Sequence, residues 1–146
     1  MKKLLFLSLA VVILASFTVQ QNNPDAIIGI WKNGEGTAHI QIYKNGDKYQ
    51  GKIIWLKEPI DPETGKAKLD KHHPDDKNHS RPVMGLINMW GFKNTGDKEW
   101  SGGKIYDPKN GKTYSCKVAM EDNNTLKVRG FIGISLIGRT DTWTRQ

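Results

Sequence analysis

The chain has one cysteine, Cys116, so no disulfide can close within it and burial must supply its stability. It has one long apolar run, Leu4 to Ala15, broken only by Ser8, and no second stretch that could serve as a membrane span. Beyond that run no 3.6-residue period persists for the eleven or so residues a helix usually needs. Phosphate-cradling glycine loops are missing. Gly133-x-Ser135-x-Ile137 lacks the second glycine of a nucleophile elbow and sits in a strand-rich stretch instead of a strand-to-helix turn. No histidine stands beside Cys116 in sequence, and its place on an apolar strand face reads as a small buried hydrophobe rather than a reactive thiol. These gaps leave no catalytic residue to name, and the expectation is a non-enzyme without a cofactor.

Charge clustering is also scarce. The 22 Lys and Arg against 15 Asp and Glu give +7 over 146 residues, and loss of Lys2 and Lys3 with a leader would leave 7 − 2 = +5. The lysines are scattered over turns and strand exteriors, which favours solubility and argues against a nucleic-acid groove. Lys2 and Lys3 before the apolar run read as a secretory signal peptide over residues 1–20, which predicts a periplasmic or extracellular protein. Ser16 and Thr18 fit cleavage after Thr18, a weak match to an Ala-x-Ala site, and an uncleaved anchor is the alternative. No cysteine follows the run, which disfavours a lipoprotein. Residues 21–146 are then one domain.

What fills that domain is alternation. Tyr114, Cys116, Val118 and Met120 alternate with polar neighbours, Asp122-Asn123-Asn124 turns the chain, and Leu126 and Val128 resume the pattern. A last strand, Thr140 to Arg145, sets three threonines against Asp141, Trp143 and Arg145. Upstream, strands are expected near Ile27–Lys32, Thr37–Lys44, Lys48–Leu56, Pro82–Phe92 with a break near Gly85, and Glu99–Tyr106 with a bulge or a close backbone approach at Gly102-Gly103. Tyr49, Gly51, Ile53 and Trp55 fall on one face, and Asn45-Gly46 suggests a type I′ hairpin. Prolines and charge make residues 57–81 a long loop. About eight short strands without covering helices predict an all-β, antiparallel up-and-down barrel, a β-sandwich being the alternative.

Particular residues sharpen the choice. Gly29-x-Trp31 on the first strand, with Arg145 or Arg139 on the last, resembles the lipocalin and calycin arrangement, in which an arginine closes one barrel end over a tryptophan. The run Asp107-Pro-x-Asn-Gly-Lys-Thr-Tyr-Ser-Cys-Lys117, then Leu126 to Thr140 and Trp143-Thr-Arg145, with Gly29-Ile-Trp31, Gly51-Lys-Ile53 and Arg81-Pro-x-x-Gly85, resembles the bacterial family catalogued as domain of unknown function 2147. The resemblance implies a secreted, calycin-like barrel of bacterial envelopes and no established activity.

Three stretches could carry chemistry. His72, His73 and His79 lie among carboxylates in Asp70–His79, where zinc, copper or nickel could bind, but none has i, i+4 spacing and a polar exposed loop accounts for them equally; no specific metal is expected. Trp90, Trp100 and Tyr106, with Arg129 and Arg139, are candidates for an apolar cup with a cationic fixing point, suited to a lipid-like or aromatic small molecule; Tyr49, Trp55, Tyr114 and Trp143 read as core. Gly130 to Gly138 is apolar on both faces and is expected to be buried in its middle, or else to form a lip. The leading function is non-enzymatic binding of an apolar or amphiphilic molecule at a barrel mouth. The alternatives are a solid barrel that docks an envelope protein and, last, a hydrolase or metal-assisted enzyme.

Overall fold

A computed structural model describes residue 16 and residues 21–146, and the expected signal peptide lies almost wholly outside them. The alternation builds eight strands: β1 (Gly29–Lys32), β2 (Ala38–Asn45), β3 (Lys48–Leu56), β4 (Ile87–Gly96), β5 (Glu99–Asp107), β6 (Lys112–Asp122), β7 (Thr125–Phe131) and β8 (Gly138–Arg145). Each pairs antiparallel with the next, and β1 pairs with β8, closing the sheet into an up-and-down barrel. Closure abolishes the edges that a helix-free sheet of this size would otherwise expose. The sandwich alternative therefore does not apply.

One end of the barrel is sealed. A 3-10 turn, Pro24–Ile27, lies under it, and three of its groups answer buried side chains. Trp31 Nε1 donates to the Ile27 carbonyl at 2.9 Å, Trp100 Nε1 donates to the Pro24 carbonyl at 3.0 Å, and the Tyr49 hydroxyl donates to Asp25. Burial, and then the Asp25 carboxylate, push the Tyr49 hydroxyl up to about 12. Arg145 completes the seal: its guanidinium stacks 4.2 Å from the Trp31 ring centroid and donates to the carbonyls of Ala26, Ile28 and Asn123. Gly29 is the residue that lets it in, because a Cβ there would collide with Arg145 Nη1.

The interior is filled. Trp31, Trp100, Phe92, Met89, Leu126, Val118 and Cys116 are all under 2 % exposed, and Trp143 closes ranks with its Nε1 donating to Asp141 Oδ2 at 2.7 Å. Between Ile27, Ile42, Tyr49, Gly51, Met89 and Phe92 there is no room for a water-sized sphere. Glycine makes the tightest approach possible: a Cβ on Gly103, at the expected bulge of β5, would lie 2.5 Å from the Phe92 ring.

Four expectations change in detail. The 45–48 hairpin turns through Gly46-Asp47, with positive φ at Gly46 alone, which fits a type II′ turn rather than the type I′ expected. A register shift beside Ile40 switches the end of β3, so Leu56 packs toward the core while Trp55 stands outside, 40 % exposed and stacked 4.4 Å from His39. The strand expected from Pro82 begins only at Ile87, after Gly85 turns at φ 85°. Residues 132–137 leave the ladder altogether, as described below.

Two measurements check this packing. Gly103→Ala should destabilise the fold by about 1–3 kcal/mol, the usual range for overpacking, read as a lower denaturant midpoint with an unchanged slope. Cys116 is 1 % exposed and burial lifts its thiol to about 12, so at pH 8 only about one thiol in ten thousand is ionised; alkylation should follow the global unfolding rate and speed up sharply only in denaturant.

Candidate functional site at the barrel mouth

The end opposite the seal carries four connections: residues 33–37, 57–86, 108–111 and 132–137. Strand alternation and register set its inner rim. Gly103, Cys116 and Gly130 share the inward face, so Arg139, the cross-strand partner of Gly130, and Ile105 and Tyr114, two residues further toward the mouth, face the same way. Space above Gly130 is bounded by Tyr114 Cβ at 3.6 Å and Ile105 Cγ2 at 3.8 Å. Ile105 and Tyr114 are half-buried and Arg139 is exposed, as inward residues become where a barrel opens to water. Glu35 lies across from them, its carboxyl held below the usual range first by Lys109 and more weakly by the Arg139 charge.

Beside this rim stands the 132–137 loop. It leaves β7 after Phe131, turns through Gly133 at φ 77°, and rejoins the sheet at Gly138. Ile132, Ile134, Leu136 and Ile137 are 69, 59, 85 and 71 % exposed, which reverses the expectation of a buried middle. The physical reason is that both flanking strands are already paired and the barrel interior is full, so no layer remains to receive these side chains. The loop is nonetheless held: Arg129 Nε donates to the Ser135 carbonyl at 2.7 Å, Arg129 Nη2 to the Leu136 carbonyl at 3.3 Å, and Arg129 Nη1 to Thr140 Oγ1 at 2.9 Å.

The long connection between β3 and β4 is also tied down. Short bridges join Ile60 to Ala67 and Leu69 to Pro82. At its centre Asp70, fully buried, accepts from Tyr106 Oη at 2.6 Å, from Arg81 Nε at 2.8 Å and from Arg81 Nη2 at 2.8 Å. Tyr106 lies on the face of β5 opposite Ile105, and burial with the neighbouring Asp70 carboxylate pushes its hydroxyl well above the usual phenol range. Gly111 at φ 70° allows the loop to come against the β5–β6 turn, since a Cβ there would strike the His72 carbonyl. Sequence reading placed Asp70 in a possible metal stretch and missed this latch, in which two nitrogens of Arg81 converge on Asp70 Oδ2 while Tyr106 holds Oδ1.

The candidate residues thus separate. Trp100 and Tyr106 are buried with their polar atoms satisfied by Pro24 and Asp70. Trp90 is 38 % exposed on the outer face of β4, paired with Lys104. Arg129 grips the loop from outside, and only Arg139 stands on the inner rim. His73 Nδ1 accepts from the Asp75 amide at 2.9 Å, and His79 Nε2 lies 2.6 Å from the His73 carbonyl, so both rings serve the loop's own geometry. Among the described residues no three metal-ligating side chains converge.

Tyr106→Phe should leave a buried Asp70 oxygen unpaired at a cost of about 1–3 kcal/mol, and amides 68–83 should exchange faster while those of β6 and β7 keep their protection.

The family model described as an uncharacterized protein conserved in bacteria, domain of unknown function 2147, matches residues 29–145. Protein HP1028 of Helicobacter pylori, described as belonging to the lipocalin family, has a solved structure that superposes with a TM-score of 0.70 at 27 % identity, covering 82 % of each chain. Among curated proteins no match was found.

Proposed function

The chain belongs to this uncharacterised bacterial family, and from that premise and its lipocalin-like barrel we propose that it is a non-enzymatic binding protein of the bacterial envelope that takes an apolar or amphiphilic molecule at the barrel mouth rather than inside the barrel. The observation that carries the reading is a contrast: the space among Ile27, Ile42, Tyr49, Gly51, Met89 and Phe92 admits no water-sized sphere and buried side chains fill the core around it, while four large aliphatic side chains stand in solvent beside the mouth. Lipocalin-type barrels that hold a ligand inside need a hollow; this one is packed with indoles whose N–H groups are already satisfied. Ile105 and Tyr114 on the rim, together with the 132–137 loop, supply apolar surface, and Arg139 supplies a cation that can orient a carboxylate or phosphate end. The expected secretory leader supports an envelope address.

Titration with monomeric dodecanoate, followed by amide chemical shifts, tests this. Saturable shifts are expected at 105, 114 and 129–139, with the Trp31, Trp100 and Trp143 indoles unmoved, and Arg139→Ala should weaken binding about tenfold. Shifts centred on those indoles would return the ligand to the interior and sink the proposal.

A further inference from the structure

We propose that the 132–137 loop is a membrane-docking element that seats the barrel, mouth side first, on a bilayer containing anionic lipid. The inference rests on the mouth-binding reading and names the surface from which that mouth would draw its amphiphile.

Three independent observations point the same way. Ile132, Ile134, Leu136 and Ile137 stand 59–85 % exposed on a segment that has left the sheet, so beyond bordering the rim they can enter a soft apolar phase. The loop is also held in shape before any partner arrives, by the three Arg129 hydrogen bonds and by Lys117 Nζ, 3.5 Å from Ser135 Oγ. Little ordering entropy is then left to lose on insertion.

The third observation is what surrounds it. Register lays out the outer wall under the loop in two rows: Trp90, Lys104, Ser115 and Phe131 across β4 to β7, and Lys117 with Arg129 beside them. Lys104, Lys117 and Arg129 have no carboxylate within ion-pair distance among the described residues. Along the outward positions of β6 and β7 the first acid is Glu121, toward the sealed end, and it is already paired with Lys127 at 3.7 Å. An apolar tip, a collar of uncompensated cations and a half-exposed indole reproduce, in order of depth, the acyl chains, the anionic headgroups and the interface of a bilayer. A second copy of the chain fits less well, because two-fold contact through the loop would bring the same cationic collars together.

Flotation with phosphatidylcholine vesicles, with and without about 30 % phosphatidylglycerol, decides the matter. The protein used is residues 21–146, which contain every strand and every closing contact described above. Binding to the anionic vesicles is expected, weakened at least tenfold by Leu136→Ser with Ile137→Ser, weakened comparably by Lys104→Gln with Lys117→Gln, and lowered by added salt, while the thermal midpoint of each variant stays with the parent's. Absence of vesicle binding, or binding indifferent to the loop variant, overturns the proposal. So does a dimer that forms without vesicles and is broken by the same loop variant. If monomeric dodecanoate still binds at the mouth while vesicles are ignored, the docking inference falls and the mouth reading stands; if neither binds, both fall.

Discussion

The barrel depends on one contact, the Arg145 guanidinium lying over Trp31. A closed sheet must bring its first strand to its last, and β1 and β8 share only two paired positions, Trp31 with Arg145 and Lys32 with Thr144, 114 and 112 residues apart in the chain. So short a seam would be a weak closure on backbone hydrogen bonds alone. Arg145 reinforces it from the side chain, stacking on the indole and donating to three carbonyls in two other segments, so that the turn below β1, the β6–β7 turn and the last strand meet at one group. Because Trp31 is fully buried and its N–H reaches Ile27, the same contact fixes the plug under the barrel.

Sealing one end so firmly has a consequence for the other. Trp31, Trp100, Tyr49 and Phe92 fill the lower barrel, and the glycines at 51 and 103 mark where even a methyl group would collide. The space between Ile27 and Phe92 has no room even for water, and the most exposed large aliphatic side chains among the described residues, at 132, 134, 136 and 137, stand at the mouth. There the loops diverge in character. The 57–86 connection turns inward on its own latch, with Asp70 neutralised by Arg81 and hydrogen-bonded to Tyr106; the 132–137 connection turns its aliphatic side chains outward. The paired charge ties the first down, and the second leaves its aliphatic carbon in solvent.

The strands were legible because period two leaves few alternatives: Cys116, Val118 and Met120 share a face in a strand, and of the two readings of Gly102-Gly103, a bulge or a close backbone approach, the register shift between Trp100 and Gly103 is the bulge. Gly29, Trp31 and Arg145 could be singled out because they resemble the lipocalin and calycin closure, and the structure adds the reason for the glycine, since a Cβ there would collide with the guanidinium. What escaped was set by tertiary context. The shift that turns Trp55 out depends on how β2 meets β3, which no local pattern encodes. The Asp70 latch joins residues 11 and 36 positions apart, and the histidines around it drew attention to metal chemistry instead. Residues 130–138 were misjudged for a different reason: an apolar run is evidence of burial only if a buried layer is available, and the filled barrel removes it.

That last point decides how the mouth should be understood. Exposed aliphatic side chains cost a free protein solubility, and a sequence could lower that cost by letting the loop collapse onto the rim. Here Arg129 uses all three guanidinium nitrogens to hold the Ser135 and Leu136 carbonyls and Thr140, which fastens the loop to the outer wall while its aliphatic side chains stay in solvent. A loop fixed with its aliphatic side chains in water is already shaped for the lipid surface proposed above. The uncompensated lysines at 104 and 117 stand on the same outer wall, and the indole at 90 beside them can lie at a boundary between polar and apolar phases. Loop, clamp and collar therefore have one physical explanation in common: a surface arranged for the edge of a lipid phase, next to a rim whose free arginine can receive what leaves it.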